Sequence, residues 1–239
     1  MVIFRTNQPV PCILCASPSP LKDGLCDDCL ALLPRLPLPR CRCGIPLPAG
    51  EEYTDDEDTP PPCGRCLDRP PPFRMVVAPW AWGFPLDRLV GPYKYRGVLV
   101  RERPLVRLAE AGLRELNPPR PDALVPIPLH WARRWRRGFN QAQRLAQGVG
   151  KRMDLPCLPA LRRIRSTPRQ QGLRAGTRRR NLHRAFRVDG DVEGLHLALV
   201  DDVVTTGSTA REASKLLLDA GATCVDVWAL ARVLPGGGA

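Results

Sequence analysis

Hydrophobic residues from Met75 onward fall into short runs, separated by longer stretches with apolar positions at three- and four-residue spacing. The short runs fit buried strands over Val76–Trp82, Ala123–Ile127, His196–Val200 and Val225–Leu230. The longer stretches predict helices over Leu86–Tyr95, Val98–Leu116, Gln141–Arg152 and Ala210–Ala220. Strands that alternate with helices indicate an α/β fold, in which a parallel sheet carries helices on both faces. Ligands of such sheets bind beyond the carboxyl ends of the strands.

The first seventy residues lack this alternation and hold eight of the ten cysteines. They form four close pairs, which are Cys12/Cys15, Cys26/Cys29, Cys41/Cys43 and Cys63/Cys66. Close spacing lets two thiolates face one ion, and Zn²⁺ takes four such ligands in a tetrahedron. Two consecutive four-cysteine sites are the simplest grouping, and a crossed pairing stays open. Redox C-x-x-C pairs would need a strand–helix–strand context, which the proline-rich surroundings do not supply.

The change of pattern near residue 72 predicts two domains. Residues 1–72 would form a small double zinc ribbon, and residues 73–239 would form the α/β domain. Because the first segment offers few core residues, one or two bound Zn²⁺ ions would supply most of its folding free energy.

Charge changes the picture in the second half of the chain. The 239 residues include 36 Lys or Arg and 24 Asp or Glu, a formal net charge of +12. The segment from His130 to Arg187 holds 17 of the basic residues and one acid, Asp154. This excess predicts a polyanionic partner, either nucleic acid or phosphate, and the alternative is a solvated arginine-rich surface.

Hydropathy and the start of the chain bear on location. No apolar run approaches the roughly 18 residues of a membrane span, and the first residues do not form a secretory leader. Ten cysteines without such a leader fit metal ligands in a reducing compartment. We therefore expect a cytoplasmic protein without membrane insertion.

The most specific motif follows the strand that ends at Val200. Asp201 and Asp202 come next, and after two valines the residues 205–209 read Thr-Thr-Gly-Ser-Thr before a helix. Hydroxyl residues and glycine at a helix N-terminus offer N–H groups, hydroxyls and the positive dipole end to a phosphate. Adjacent carboxylates can hold ribose hydroxyls and a Mg²⁺-bound polyphosphate. We expect loop and carboxylates to share one pocket; the alternative is a capped helix after a polar strand end.

The ends of that helix can also be predicted. Thr209 and Glu212 have the spacing of a capping box, and Gly221 suits the C-terminal end.

Segment Leu199–Thr209 resembles the 5-phosphoribosyl-1-pyrophosphate (PRPP) signature of type I phosphoribosyltransferases. With the paired cysteines, the chain resembles one branch of these proteins, the ComF family of competence-associated proteins. The further matching motifs are Lys94-Tyr95-Arg96-Gly97, Val125–Leu129, Arg137–Gln141, Thr167–Leu173, Arg178–Asn181 and Ala185-Phe186. The chain departs from this resemblance at Cys41/Cys43. The family pattern there is C-x-x-C-G, whereas this chain has C-x-C-G, so its first cysteine is one residue closer to the second.

The resemblance implies roles for individual residues. Asp201 and Asp202 would be the catalytic residues that contact the ribose hydroxyls and orient Mg²⁺. The PRPP-binding residues would be Thr205, Thr206, Gly207, Ser208, Thr209, Pro126, Ile127, Arg137 and Lys94. Val125–Leu129 would be the pyrophosphate loop, for which we expect a cis bond before Pro126 or Pro128. The zinc ligands would be Cys12, Cys15, Cys26, Cys29, Cys41, Cys43, Cys63 and Cys66.

For function, the resemblance implies a protein that binds PRPP with Mg²⁺ and single-stranded DNA, and that supports DNA uptake in natural transformation. A helicase or an uptake-machinery protein would be a further partner. Trp131 and Trp135 could stack on bases, whereas we expect Phe139 to pack in the core.

Two alternatives stay open. The first is an active phosphoribosyltransferase that transfers a 5-phosphoribosyl group from PRPP to a base or amine, although no residue stands out as a general base. The second is a zinc-dependent adaptor protein with a vestigial pocket.

Overall fold

The structure is a computed structural model that describes residues 11–18, 24–48, 62–96, 101–129, 138–164 and 185–236, without the side chains of 94–96. The helices in these ranges are α1 (Asp27–Ala31), α2 (Gly64–Asp68), α3 (Leu86–Arg96), α4 (Glu102–Leu116), α5 (Gln141–Met153) and α6 (Ser208–Asp219). The strands are β1 (Val76–Val77), β2 (Trp80–Ala81), β3 (Ala123–Pro126), β4 (Leu161–Arg163), β5 (Phe186–Val188), β6 (His196–Val204) and β7 (Cys224–Arg232).

A parallel sheet forms the centre of the molecule, with strand order β1-β7-β6-β3 and β2 paired to the far end of β7. The long strands β6 and β7 pair from His196 opposite Cys224 to Val204 opposite Arg232. Strands β4 and β5 form a separate antiparallel pair. The predicted α/β class with a parallel sheet is therefore confirmed.

Helices cover both faces of this sheet because successive side chains of a strand point to opposite sides. Leu197 and Leu199 of β6 belong to the core that α6 covers through Leu217. Ala198 and Val200 belong to the opposite core, which α3, α4 and α5 cover. Long apolar strands buried on both faces are typical of parallel sheets.

The predicted first strand is interrupted. Val76–Trp82 forms two short strands, β1 and β2, with Pro79 between them. Proline has no N–H to donate to a ladder. Its carbonyl oxygen instead accepts a hydrogen bond from the N–H of Leu36, at 3.1 Å, and so ties the N-terminal segment to the sheet.

The N-terminal segment packs directly on the α/β domain. Cys12, Leu25 and Leu33 share a buried core with Leu105 of α4 and Leu89 of α3. One hydrophobic core therefore contains residues from both sides of the predicted boundary. The division into domains 1–72 and 73–239 stays a prediction.

The start of α6 differs from the prediction. The helix begins at Ser208 with Gly207 as N-cap, in a left-handed conformation with φ of +74°. Thr209 thus lies inside the first turn, and the predicted capping box with Glu212 is wrong.

The end of α6 agrees with the prediction. The N–H of Gly221 donates to Leu218 at 3.0 Å, and the N–H of Ala222 donates to Leu217 at 3.1 Å, the pattern of a Schellman motif. Gly221 has a φ of +99°, which suits glycine in this position.

None of the described helices is long and apolar enough to cross a bilayer.

Candidate functional site

The two predicted catalytic carboxylates lie inside β6, not after it. The strand continues to Val204 because β7 pairs with it along its whole length. Successive strand residues point to opposite faces, so the side chains of Asp201 and Asp202 diverge. Asp202 is 9% exposed and points to the face covered by α3, α4 and α5. Asp201 accepts a hydrogen bond from the N–H of Asp202 at 2.8 Å.

Asp202 lines a small depression with polar neighbours on three helices. Tyr93 of α3, Glu102 of α4 and Gln141 of α5 face it. Arg144 donates from Nε to the carboxylate of Glu102. Burial raises the pKa of the Tyr93 hydroxyl above its ordinary value, and the neighbouring Glu102 carboxylate raises it further. The depression is therefore lined by two carboxylates among mostly apolar side chains, and Arg144 pairs with one of these carboxylates.

The predicted phosphate loop is the turn between β6 and α6. Thr205 and Thr206 are exposed, while Gly207, Ser208 and Thr209 are half-buried. The hydroxyl of Thr206 lies 2.9 Å from that of Ser208 and accepts a hydrogen bond from the Ser208 N–H at 3.4 Å. The loop thus presents hydroxyls at the first turn of α6, where the helix dipole favours an anion.

The phosphate loop lines a different depression from Asp202. Thr206 and Gly207 face Arg211 and Arg232, together with Cys43 and Cys66 of the second cysteine cluster. The loop and Asp202 thus line separate depressions, and contact of the loop and both carboxylates with one ligand stays a prediction. The extension of β6 sends the two carboxylates to opposite faces.

The predicted pyrophosphate loop begins at the end of β3. Pro126 and Ile127 are buried, and the N–H of Ile127 donates to Val200 at 2.9 Å. The carbonyl oxygen of Ile127 accepts a hydrogen bond from Asn140 Nδ2 at 3.0 Å. These two hydrogen bonds hold the backbone of Ile127, next to Pro126, where the predicted pyrophosphate loop leaves the sheet. In the described residues the cis peptide bonds precede Pro39 and Pro85, so the predicted cis bond at Pro126 or Pro128 is wrong.

Several predicted residues fall where side chains are not described. Arg137, Trp131 and Trp135 lie outside the described residues, and Lys94 is described only as part of the α3 backbone. Phe139 packs as expected, with its ring centroid 5.2 Å from that of Tyr93.

The eight paired cysteines form two clusters in consecutive order. One holds Cys12, Cys15, Cys26 and Cys29, the other Cys41, Cys43, Cys63 and Cys66, and the sulfur atoms of each lie within 4.8 Å of one another. A tetrahedral site with Zn–S bonds of about 2.3 Å has sulfur–sulfur edges of about 3.8 Å. The Cys15–Cys26 and Cys43–Cys63 distances are 3.6 and 3.8 Å. Both clusters could therefore hold zinc, and the shifted spacing of Cys41 does not prevent the second from closing.

The pKa values of the thiols differ within each cluster. Burial raises the pKa of Cys12, but hydrogen bonds from the backbone of Cys15, Cys26 and Leu14 outweigh it and lower the value to about 6. The Cys41 thiol lowers the pKa of Cys43 to about 5. A thiolate is the form that binds metal, so the hydrogen bonds that lower these two pKa values favour metal binding.

A third group of ligand-type side chains lies at the opposite end of the strands. His196, Cys224 and Asp226 come together at the starts of β6 and β7. Arg74 donates to both oxygens of the fully buried Asp226 carboxylate, at 2.9 and 2.5 Å, and His196 Nε2 lies 2.9 Å from it. Since a guanidinium already neutralises the carboxylate, this group is a buried ion pair that joins β7 to the segment before β1.

Sequence reasoning missed five residues around the candidate site. Asn140, Glu102, Arg144, Arg211 and Arg232 all lie between elements that are distant in the sequence. Asn140 belongs to a motif that was recognised, and its position just before α5 could have marked it as an N-cap. Nothing in the local pattern distinguishes the arginines from the other arginines of the chain.

Several solved structures show partial similarity to this chain. The glutamine PRPP amidotransferase from B. subtilis matches 53% of this chain and 26% of its own, at 22% identity and a TM-score of 0.37. The TT1426 structure from Thermus thermophilus matches 58% of this chain and 85% of its own, at 18% identity and a TM-score of 0.34. No protein-family model matches the sequence.

Curated relatives match almost the whole chain. The DNA utilization protein YhgH of Salmonella typhi is 41% identical over 234 residues, which cover 93% of this chain and 97% of the relative. Competence protein F of Haemophilus influenzae is 35% identical over 220 residues, 88% of this chain and 91% of the relative. Competence protein ComFC of Bacillus subtilis is 35% identical over 99 residues. The chain therefore belongs to the ComF family, and the family and fold that its motifs predicted are confirmed.

Proposed function

We propose that this ComF-family protein binds PRPP with Mg²⁺ and single-stranded DNA in the cytoplasm, and that it supports DNA uptake in natural transformation. The names of its relatives, a DNA utilization protein and competence proteins, agree with this class of function. The observation that carries the proposal is the exposed hydroxyl loop between β6 and α6, at the carboxyl edge of a parallel sheet. Ligands of such sheets bind at that edge.

The loop would bind the 5′-phosphate of PRPP. Thr205 and Thr206 are exposed, and Gly207 adopts the left-handed conformation that turns the chain into α6. Hydroxyls, N–H groups and the helix dipole then act on one anion. Ser208 and Thr209, in the first turn, complete the proposed phosphate contacts.

The two carboxylates that precede this loop in the chain suit Mg²⁺, which prefers oxygen ligands and keeps several waters. Asp202 and Glu102 line one depression, and Asp201 lies on the other face of β6. When bound, Mg²⁺ would neutralise charge on the pyrophosphate. Asp201 and Asp202 would orient the ribose hydroxyls, and the segment anchored by Ile127 would lie beside the pyrophosphate, with Arg137 and Lys94 as proposed cationic partners.

The two cysteine clusters would hold one Zn²⁺ each and stabilise the N-terminal segment. Their sulfur–sulfur distances of 3.6 and 3.8 Å match a tetrahedral zinc site, which supports this assignment. Because the first cluster shares a core with α3 and α4, its metal would also stabilise the covering helices of the sheet.

Single-stranded DNA would bind along the arginine-rich part of the chain. The described portion includes the ribbon of β4 and β5, where the side chains of Arg162 and Arg187 are 71% and 60% exposed. Arg163 lies over the ring of Phe186, with its Cζ 5.2 Å from the ring centroid. Guanidinium groups neutralise phosphates and stack on bases, so affinity should fall steeply with added salt.

The decisive test is calorimetric titration of the full protein with PRPP and Mg²⁺ and with a short single strand, separately and together. Saturable Mg²⁺-dependent PRPP binding and salt-sensitive DNA binding are expected. If binding of one changes the affinity for the other, the coupling must be reciprocal. Absence of PRPP binding would contradict the pocket assignment, and absent or salt-independent DNA binding would contradict the assignment of the basic segment.

An active phosphoribosyltransferase is the second candidate. It is supported by Asp202, Glu102 and Tyr93, which line one small and otherwise mostly apolar depression and carry oxygens that can accept a hydrogen bond. In that reaction the bond between ribose C1 and the pyrophosphate oxygen breaks, a C1–nitrogen bond forms, and the acceptor loses a proton. Release of pyrophosphate that depends on an added base or amine would support this candidate.

The proposed protein partner is a helicase or an uptake-machinery protein. If a variant with both Asp201→Asn and Asp202→Asn still restored transformation to a deletion strain, the pocket would be dispensable. The adaptor function would then replace the ligand-binding one.

A further inference from the structure

The second cysteine cluster is joined to the phosphate loop by two arginines. Arg232, the last residue of β7, is 3% exposed. Its Nε donates to the carbonyl oxygen of Cys43 at 2.9 Å. Its Nη1 donates to the carbonyl oxygen of Val204 at 3.1 Å and to that of Thr205, where the phosphate loop begins. One buried guanidinium therefore fixes a cluster residue relative to the start of the loop.

Arg211 makes the second connection, from the other side of the loop. Its backbone N–H donates to the carbonyl oxygen of Gly207 at 2.9 Å, within the first turn of α6. Its Nη2 lies 3.9 Å from Cys66 Sγ and donates to the carbonyl oxygen of Arg69 at 3.0 Å. A cation beside a zinc thiolate stabilises its negative charge, as outer partners of metal ligands do.

The cluster also packs closely against the sheet at this point. Gly44 has a φ of +75°, and a Cβ there would lie 3.0 Å from Val76 Cγ1 and 3.4 Å from Arg232 Cδ. The backbone just after the Cys41/Cys43 pair thus lies against Val76 of β1 and against the side chain of Arg232. A displacement of this backbone has little room to relax without moving Arg232.

We propose that metal in the cluster of Cys41, Cys43, Cys63 and Cys66 orders the phosphate loop through Arg232 and Arg211, so that zinc and a phosphate ligand bind cooperatively. The coupling between zinc and a phosphate ligand rests on the proposed PRPP-binding function. The effect of metal on the loop can be measured without any ligand. The two arginines act as positioning residues.

The first cluster provides the matched control. Its members Cys12, Cys26 and Cys29 lie in the core shared with α3 and α4, on the other face of the sheet from α6. Each cluster has one member that is more exposed than the others, Cys15 in the first and Cys63 in the second. Replacing these two cysteines removes one ligand from each site with the least disturbance of packing.

The first experiment is hydrogen–deuterium exchange of the full protein in the Cys63→Ala and Cys15→Ala variants. Loss of metal from the second site should speed exchange of two amides that are hydrogen-bonded to this region, that of Arg211, which donates to Gly207, and that of Val233, which donates to Val204. The expected increase is about tenfold, within the usual range of coupling between sites. Cys15→Ala should leave those amides at the wild-type rate. Equal exchange of these amides in both variants would overturn the proposal.

A second experiment keeps the proposal testable if Cys63→Ala does not fold. Arg211→Gln is compared with Lys215→Gln, which removes the same charge from an exposed position one turn later in α6. Release of zinc to a chelator is followed with an indicator dye. Arg211→Gln should speed release of one of the two metal equivalents by about fivefold or more, the lower end of ordinary coupling. Lys215→Gln should behave as wild type, and identical release from both variants would overturn the proposal.

The coupling between zinc and the phosphate ligand is tested by zinc release with PRPP and Mg²⁺ present. In wild type the ligand should slow release of the second-site metal, and in Arg211→Gln this protection should disappear. If calorimetry shows no PRPP binding, the proposed function fails while the exchange result still decides whether metal orders the loop. If PRPP binds but leaves zinc release unchanged, the coupling is refuted and PRPP binding stands.

Discussion

Asn140 Nδ2 donates a hydrogen bond to the carbonyl oxygen of Ile127 at 3.0 Å, and Asn140 Oδ1 accepts one from the N–H of Ala142 at 3.2 Å. One buried side chain thus caps α5 and holds the end of β3, where the proposed pyrophosphate loop begins. The amide satisfies two backbone groups that belong to different elements. The loop position and the helix start are therefore fixed by the same residue.

Asn140→Ala should lower the free energy of unfolding by about 1–3 kcal/mol, because it removes a cap and leaves the buried carbonyl oxygen of Ile127 without this donor. Urea denaturation measures the change. The control is Gln147→Ala, at an exposed position of the same helix, which should change stability by less than about 0.5 kcal/mol. Equal effects of the two substitutions would show that the Asn140 amide stabilises nothing.

Gly207→Ala tests the backbone conformation of the phosphate loop without creating a steric clash. A Cβ at Gly207 would meet its nearest neighbour, Val204 Cγ1, only at 4.0 Å, so the cost of about 1–2 kcal/mol comes from the left-handed φ of +74°. Gly194→Ala is the matched control, since Gly194 has a φ of +73° and open space around it. Both variants should lose similar stability in thermal unfolding, but only Gly207→Ala should weaken calorimetric binding of PRPP. Unchanged PRPP affinity would contradict the phosphate role of this loop.

Asp202→Asn should lower PRPP affinity at saturating Mg²⁺ by about tenfold or more, since a hydrogen bond to a charged group contributes roughly 1.5–3 kcal/mol. Asp201→Asn should have a similar effect if both carboxylates reach the ribose. The control is Asp219→Asn, at an exposed position at the end of α6. Because β6 directs the two carboxylates to opposite faces, a loss confined to Asp202→Asn would place the ligand on the side of α3, α4 and α5.

We expect protonation of the Glu110 carboxylate to lower the stability of the folded protein in acid. Burial raises the pKa of its carboxyl, but hydrogen bonds from Arg152 and Arg114 outweigh burial and hold the pKa below its ordinary value. A pKa lowered by folding means that the carboxylate stabilises the protein above its unfolded pKa of about 4.3, and that this contribution is lost as pH falls through the folded pKa. Glu110→Gln should therefore cost about 1–3 kcal/mol at pH 7 and progressively less below about pH 4.

Thermal unfolding from pH 7 to pH 3 measures this dependence. The control is Glu115→Gln, whose exposed ion pair with Arg35 should contribute less than about 1 kcal/mol. A constant difference between wild type and Glu110→Gln over the whole pH range would contradict the assignment.

Metal content tests the two cysteine clusters independently of any ligand. The purified protein should contain two zinc equivalents per chain by elemental analysis, and Cys15→Ser and Cys63→Ser should each lose one. Removal of both ions with a chelator should lower the midpoint of thermal unfolding, because the metal stabilises only the folded state. A single equivalent that Cys63→Ser leaves in place would show that the second cluster does not hold zinc.

Much of the fold could be predicted from local pattern. Apolar runs and helical spacing predicted the parallel sheet, and Gly221 predicted the end of α6. The consecutive grouping of the cysteines was the simplest interpretation of their spacing, because each cluster joins two pairs that are neighbours in the chain. The resemblance of the loop at residues 205–209 to a known signature predicted the candidate site, since an exposed turn is specified largely by its own residues.

Contacts between distant residues were decided only by the tertiary structure. Pairing with β7 extends β6 through Asp201 and Asp202 and sends their side chains to opposite faces, whereas the sequence suggested a strand that stops before them. Arg232 reaches Cys43 across 189 residues, and Arg74 reaches Asp226 across 152. The sequence determined which residues are able to bind metal and phosphate. Only folding brought the second cysteine cluster against the phosphate loop, because that arrangement depends on strand register and on which of 32 arginines becomes buried.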